Sequence, residues 1–63
     1  MIVVMRSDTD ERAVEGVMAR IKEVGLAGHL SKGAERTVIG VVGQTFPELK
    51  GMLEVLPGVE DVV

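Results

Sequence analysis

Apolar and polar residues follow one another in two different periods, and these periods divide the chain into six segments. The β-branched run Ile2–Met5 predicts a first strand that is apolar on both faces. It is followed by apolar residues at the spacing of one helix face, namely Val14, Val17, Met18 and Ile21. Asp8 and Glu11 stand at capping-box spacing and predict the start of this helix, and Gly25 predicts its left-handed end.

The middle of the chain predicts a hairpin. From Leu26 to Ser31 the residues alternate with period two, which indicates a strand with one apolar and one mixed face. Lys32–Glu35 fits a short connection, in which Gly33 is expected to adopt a positive φ. Arg36–Val42 is the next predicted strand.

The last third of the chain predicts a second helix and a final strand. Thr45 and Glu48 repeat the capping-box spacing, and one side of a short helix is lined by Phe46, Leu49, Leu53 and Leu56. Pro57–Gly58 ends this helix, and Val59–Val63 forms the last strand.

The order of these segments predicts the fold. Strand, helix, strand, strand, helix, strand is typical of an α+β protein, the ferredoxin-like βαββαβ sandwich, in which two helices cover one face of a four-stranded antiparallel sheet. We expect residues 1–63 to form this single domain. Because the chain ends at Val63, within or just after the last strand, we also expect it to belong to a longer protein.

The helices of such a fold leave the other sheet face open to a partner. Leu26 and Leu30 must point toward the helices, which turns the alternate residues of this strand, Ala27, His29 and Ser31, to the open face. The last two lie about 7 Å apart along the strand and could hydrogen-bond a small polar ligand. Their spacing alone favours the plainer interpretation, in which they are ordinary polar residues on a half-exposed strand.

The open face is also expected to be an interface. A sheet face in contact with water alone carries a polar residue at every second position. Ile2–Met5 and Val38–Val42 are instead apolar at both phases of the alternation. We therefore expect a partner to cover this face and assign Ala27, Ile39 and Val41 to it.

Composition and charge exclude several classes of partner. The net charge is −3 and Phe46 is the only aromatic residue, which argues against binding of nucleic acid. No apolar run approaches the roughly 20 residues that span a bilayer, and Met1–Met5 is too short for the apolar region of a signal peptide. We therefore expect a cytoplasmic protein that does not enter membranes.

Neither a metal site nor a catalytic site is expected. The chain has no Cys and one His, so it lacks the ligands of a metal centre, and no cofactor is expected in this domain. His29 and Ser31 offer two members of a catalytic triad without an orienting third group or an oxyanion hole. Glu60 and Asp61 are neighbours on a strand, so their carboxylates face opposite ways.

Three segments of the chain carry a resemblance to a known family. They are residues 1–5 (MIVVM), 29–43 (HLSKGAERTVIGVVG) and 56–63 (LPGVEDVV), with 33–43 the most specific part. Together they resemble the N-terminal ferredoxin-like, ACT-like regulatory domain of one subclass of 3-deoxy-D-arabino-heptulosonate 7-phosphate (DAHP) synthase. Gln44 departs from that pattern, because many relatives carry an acidic residue there.

The resemblance implies a regulatory function. In that family the domain precedes a (β/α)8 barrel, a transferase that uses a divalent metal to condense phosphoenolpyruvate with erythrose 4-phosphate in the first step of the shikimate pathway. Tyrosine or phenylalanine binds where regulatory domains of different subunits pair, and the resulting change restricts access to the barrel. The family's ligand-contacting His and Ser match His29 and Ser31. The barrel residues are absent here, so no catalysis is expected from this chain alone.

Two alternatives to a sensor of amino acids remain open. The first is a purely structural domain that joins subunits through its open sheet face and binds no ligand. The second is a small stand-alone enzyme of the acylphosphatase type, although the phosphate-cradling Arg loop and the Asn of such enzymes are not visible after the first strand.

Overall fold

Six elements follow one another in the computed structural model, which describes residues 1–63. They are β1 (Ile2–Met5), α1 (Glu11–Glu23), β2 (Ala27–Lys32), β3 (Thr37–Val42), α2 (Leu49–Glu54) and β4 (Val59–Val62). The strands form one antiparallel sheet in the spatial order β2-β3-β1-β4. The predicted α+β ferredoxin-like βαββαβ fold is thereby confirmed. Neither helix has the length and apolar character needed to cross a membrane.

The core lies between the sheet and the two helices and is wholly apolar. Ten residues are buried and none of them is polar or charged. Every element except β2 contributes to this cluster, which consists of Val3, Met5, Val14, Val17, Ile21, Ile39, Val41, Leu49, Leu53 and Val62. Full burial of one such side chain contributes about 1.5–3 kcal/mol. Val14, Val17 and Ile21 belong to this cluster and Met18 packs against it, which confirms that the apolar stripe predicted for α1 is the face that packs on the sheet.

α1 begins later than the capping-box pattern at Asp8 predicts. The N-cap is Asp10, whose carboxylate accepts a hydrogen bond from the Ala13 N–H at 2.9 Å. Asp8 lies in a turn closed by a hydrogen bond from the Thr9 N–H to the Arg6 carbonyl, and its carboxylate accepts a hydrogen bond from the Arg6 guanidinium. Because the turn holds Asp8 away from the helix, the first carboxylate after the turn becomes the cap.

α2 is shorter than predicted, and no side chain caps it. It begins at Leu49, and Glu48 at its N-cap makes no side-chain hydrogen bond to the helix. The capping box predicted at Thr45 is therefore wrong, because Pro47 disfavours the helical conformation at the residue before it. The predicted apolar side is nevertheless present, with two residues buried and two partly buried, namely Leu49, Leu53, Phe46 and Leu56.

The β2–β3 hairpin closes without the positive φ predicted for Gly33. The Gly33 N–H donates to the Arg36 carbonyl at 2.8 Å, and a Cβ on Gly33 would lie 2.8 Å from the same oxygen. Glycine is therefore needed here for a close approach of backbone to backbone. The left-handed conformation predicted for Gly25 at the end of α1 is confirmed, with a φ of 82°.

Gly58 joins three elements at one end of the sandwich. Its φ is 83°, and a Cβ there would lie 2.6 Å from Thr9 Oγ1 and 2.8 Å from Ala13 Cβ. Its carbonyl also accepts a hydrogen bond from the Arg6 N–H at 2.7 Å. The turn before β4 therefore reaches the end of β1 and the start of α1 only with glycine at this position.

Replacing Asp10 with alanine is expected to destabilise the chain by about 1 kcal/mol, because α1 loses its N-terminal cap. Denaturant unfolding of Asp10→Ala against the parent chain measures this loss. Asp8→Ala is the matched control, since it removes only an exposed contact with Arg6, worth at most about 0.5 kcal/mol. Equal losses in the two variants would contradict the assignment of the cap.

Candidate functional site

β2 presents His29 and Ser31 on the sheet face that no helix covers. His29 lies opposite Gly40 of β3, and a Cβ on Gly40 would lie 3.9 Å from the His29 Cβ. Gly28, the preceding residue of β2, faces the helices, because a Cβ there would lie 2.7 Å from the Met18 Sδ. The structure thus turns His29 and Ser31 to one side, as the alternation of β2 predicts.

The His29 and Ser31 side chains are available to a ligand. Both are exposed, and neither takes part in a side-chain hydrogen bond within the chain. Imidazole and hydroxyl groups each donate and accept hydrogen bonds, so together they can meet an amino, carboxylate or phenolic group. Their role in binding stays a prediction.

Ile39 and Val41 do not belong to the open face, and their assignment to it is wrong. Ile39 is fully buried and Val41 is 8% exposed, and both belong to the core cluster. Ile39 lies opposite Val3, another core residue, on the side that the helices cover. The sequence misleads here because β3 is apolar at both phases of its alternation. Only its pairing with β1 shows which side chains face inward.

The open face instead carries apolar residues that the sequence analysis did not assign to it individually. Six further positions lie on the same side of the sheet as His29 and Ser31, namely Ile2, Val4, Val38, Gly40, Val42 and Val63. Strand register places the residues of β1 and β3 there, and Val63 follows because it exchanges two backbone hydrogen bonds with Ile2. Ile2 is 48% exposed, Val42 60% and Val63 76%. A contiguous apolar surface of this kind indicates an interaction site. These eight residues, together with Ala27, are called the open face below.

One ion pair lies at the hairpin end of the sheet. The Arg36 guanidinium contacts the Glu60 carboxylate, and this pair links the residue before β3 to β4, on the other side of β1. Both side chains are more than two-fifths exposed, so the pair contributes little to stability. Asp61 on β4 lies opposite Val4 and therefore shares the uncovered side of the sheet, where its carboxylate accepts a hydrogen bond from the Val62 N–H. The positions of the open face on β1 and β3 carry no charged side chain.

Three surface cavities lie away from His29 and Ser31. Their volumes are about 380, 330 and 430 Å³. The first lies between the start of α1 and the end of β2, the second between α1 and α2, and the third beside Met18 and Leu26. None of the three is lined by His29 or Ser31. Because no helix covers the open face, a single copy of the chain offers a ligand there one wall, and a second surface is needed to enclose it.

The acidic residues and the His are scattered over the fold. No group of three or more His, Asp or Glu side chains is placed so that it could hold a metal ion. The divalent metal that the sequence resemblance implies for the whole enzyme therefore does not fit the residues of this chain.

Comparisons with known proteins identify the family. A family model described as the DAHP synthase ferredoxin-like domain matches residues 1–63. Phospho-2-dehydro-3-deoxyheptonate aldolase of Thermotoga maritima is 38% identical over 63 residues, which are 100% of this chain and 19% of that protein. The crystal structure of phospho-2-dehydro-3-deoxyheptonate aldolase (DAHP synthase) from Thermotoga maritima matches with a TM-score of 0.87 at 35% identity.

That structural match covers 95% of this chain and 18% of the other chain. The chain thus spans about a fifth of the length of these relatives. The family model covers every residue, and the relatives agree with it in both sequence and fold. The resemblance inferred from the three sequence segments is thereby confirmed, and this chain belongs to the family of DAHP synthase ferredoxin-like domains.

Proposed function

We propose that this chain is the regulatory domain of a longer cytoplasmic DAHP synthase and that it binds tyrosine or phenylalanine between two paired copies. Binding gives feedback inhibition of a (β/α)8 barrel elsewhere in the protein. That barrel condenses phosphoenolpyruvate with erythrose 4-phosphate with the help of a divalent metal. The observation that carries the proposal is the open face, which is apolar at its centre and has His29 and Ser31 on its edge strand.

An aromatic amino acid has groups that complement both the aliphatic part of this face and its polar edge at His29 and Ser31. Its ring buries apolar area against side chains such as Ile2 and Val42, which are 48% and 60% exposed in the single chain. Its phenolic, ammonium or carboxylate group meets the His29 imidazole or the Ser31 hydroxyl. Apolar contacts thus hold the ligand on the face, and the polar pair at the edge orients it.

Regulation by such a ligand requires that it bind the paired domains more tightly than the unpaired ones. A ligand shifts an equilibrium only by its difference in affinity for the two states, typically about 1–3 kcal/mol. When two open faces enclose the amino acid, both contribute walls to one site, whereas an unpaired face contributes a single wall. Pairing of domains from different subunits then restricts access to the barrel.

A purely structural role in subunit association is the second candidate. The same apolar surface favours it, because pairing of two open faces buries Ile2 and Val42 whether or not a ligand is present. The acylphosphatase-type alternative is not retained, since the family that matches the chain is a DAHP synthase domain.

The full-length enzyme that carries this chain is expected to bind tyrosine or phenylalanine and to lose activity over the same range of ligand concentration. Isothermal titration calorimetry with each amino acid, run beside an activity assay, measures both effects. If neither amino acid gives heat or inhibits the enzyme, the sensor function is wrong and the structural role stands.

Removal of one polar group, in His29→Ala or Ser31→Ala, is expected to weaken binding of the effective amino acid by about 2- to 10-fold. A hydrogen bond contributes about 0.5–1.5 kcal/mol net, and 1.4 kcal/mol corresponds to a factor of ten. Calorimetry on the full-length variants gives the dissociation constants. Lys32→Ala is the matched control on the same strand, because Lys32 faces the helix side and contacts Glu11 at 3.8 Å. An equal loss of affinity in Lys32→Ala would argue against the assigned site.

A charge on the open face is expected to weaken association of the domains. In Val42→Glu, pairing would bury an unpartnered carboxylate, which costs several kcal/mol, so the association constant should fall by at least about tenfold. Analytical ultracentrifugation of the full-length protein measures this. Val55→Glu is the control, because Val55 is 81% exposed and lies at the end of α2 on the helix side. Unchanged association of Val42→Glu would show that the open face is not the pairing surface.

A further inference from the structure

Gly40 is the one position of the open face that has no side chain. Val38 and Val42 lie two residues away on either side of it along β3. His29 lies opposite it on β2, and Ile2 lies opposite it on β1. Gly40 is therefore the floor of a shallow depression, made of bare backbone and surrounded by four side chains.

The size and lining of this depression suit a flat ring. Because neighbouring strands are about 4.8 Å apart, the Cα atoms of His29 and Ile2 are separated by roughly 10 Å, and those of Val38 and Val42 by about 13 Å. Three of the surrounding side chains are aliphatic and the fourth is an imidazole. A planar ring can lie against the peptide backbone of Gly40 with its edge toward the imidazole, an arrangement that aromatic groups favour.

A second copy of the chain brings no benzene or indole ring to this place. The sequence contains one Phe, no Tyr and no Trp. Phe46 is partly buried against the core, which lies on the helix side of the sheet. When two open faces pair, neither copy of this chain therefore supplies a benzene or indole ring at Gly40, and such a ring comes from a bound molecule.

The fold itself does not require glycine at this position. Gly40 has no positive φ, and a Cβ there would lie 3.8 Å from the His29 carbonyl oxygen and 3.9 Å from the His29 Cβ, which is ordinary van der Waals contact. Gly43 differs, because its φ is 127° and a Cβ would lie 2.6 Å from the Leu26 Cδ2. Glycine in the middle of a strand lowers stability relative to alanine by roughly 0.5–1 kcal/mol. The packing of a single chain therefore does not explain why residue 40 is a glycine.

We infer that Gly40 forms the floor of the effector site, with the ring of the aromatic amino acid lying on its backbone beside the His29 imidazole. This inference rests on the proposed function, in which an aromatic amino acid binds on the open face. A side chain at position 40 occupies the volume of the ring and excludes it.

The inference is tested in the full-length enzyme with Gly40→Ala and Gly40→Val, each titrated with tyrosine and with phenylalanine by calorimetry. The dissociation constant of the effective amino acid is expected to rise by at least about tenfold in Gly40→Ala, and binding should be undetectable in Gly40→Val. The melting temperature of Gly40→Ala should not fall, because the added Cβ meets no close contact. Gly16→Ala is the control with unchanged affinity, since a Cβ on this exposed helix residue meets nothing within 4 Å.

The outcomes separate this inference from the proposed function. If Gly40→Ala binds the amino acid as tightly as the parent enzyme while His29→Ala binds it more weakly, the role of Gly40 is wrong and the proposed function stands. If the parent enzyme binds neither tyrosine nor phenylalanine, both are wrong. A loss of binding in Gly40→Ala that accompanies a large fall in melting temperature also overturns the inference, because the glycine would then serve the fold.

Discussion

β1 pairs with β3 so that Val3 lies opposite Ile39 and Ile2 lies opposite Gly40. Because strand side chains alternate between the two faces, this register directs Val3 and Ile39 into the core and leaves Ile2 and Gly40 on the open face. A slip of β3 by one residue would turn Gly40 into the core and expose two core residues, Ile39 and Val41. β2 pairs in turn with β3, so the position of His29 beside Gly40 follows from the same arrangement.

The sequence predicts the two faces of the sheet better in some strands than in others. In β2 the polar residues His29 and Ser31 alternate with Gly28 and Leu30, so the alternation alone shows which residues share a side. In β3 both sets of alternating residues are apolar, so the sequence of the strand does not show which set faces the core and which faces outward. The open face is therefore predictable at its polar edge, whereas its apolar centre follows only from long-range pairing.

The helix starts show a second limit of local patterns. The spacing of Asp8 and Glu11 is that of a capping box, yet a tight turn after β1 holds Asp8 outside the helix and leaves the cap to Asp10. Before α2, Pro47 excludes the start predicted at Thr45. In both cases the apolar face of the helix was predictable, because burial of several side chains outweighs one terminal hydrogen bond.

The core contains no polar side chain, and no buried side-chain nitrogen or oxygen is left without a hydrogen-bond partner. The stability of the chain therefore comes mainly from the removal of apolar surface from water. This driving force weakens on cooling and strengthens in the presence of excluded salts such as sulfate. The open face is apolar as well, so any association through it shares this dependence. Cold and sulfate should thus shift folding and subunit pairing in the same direction, cold loosening both and sulfate tightening both.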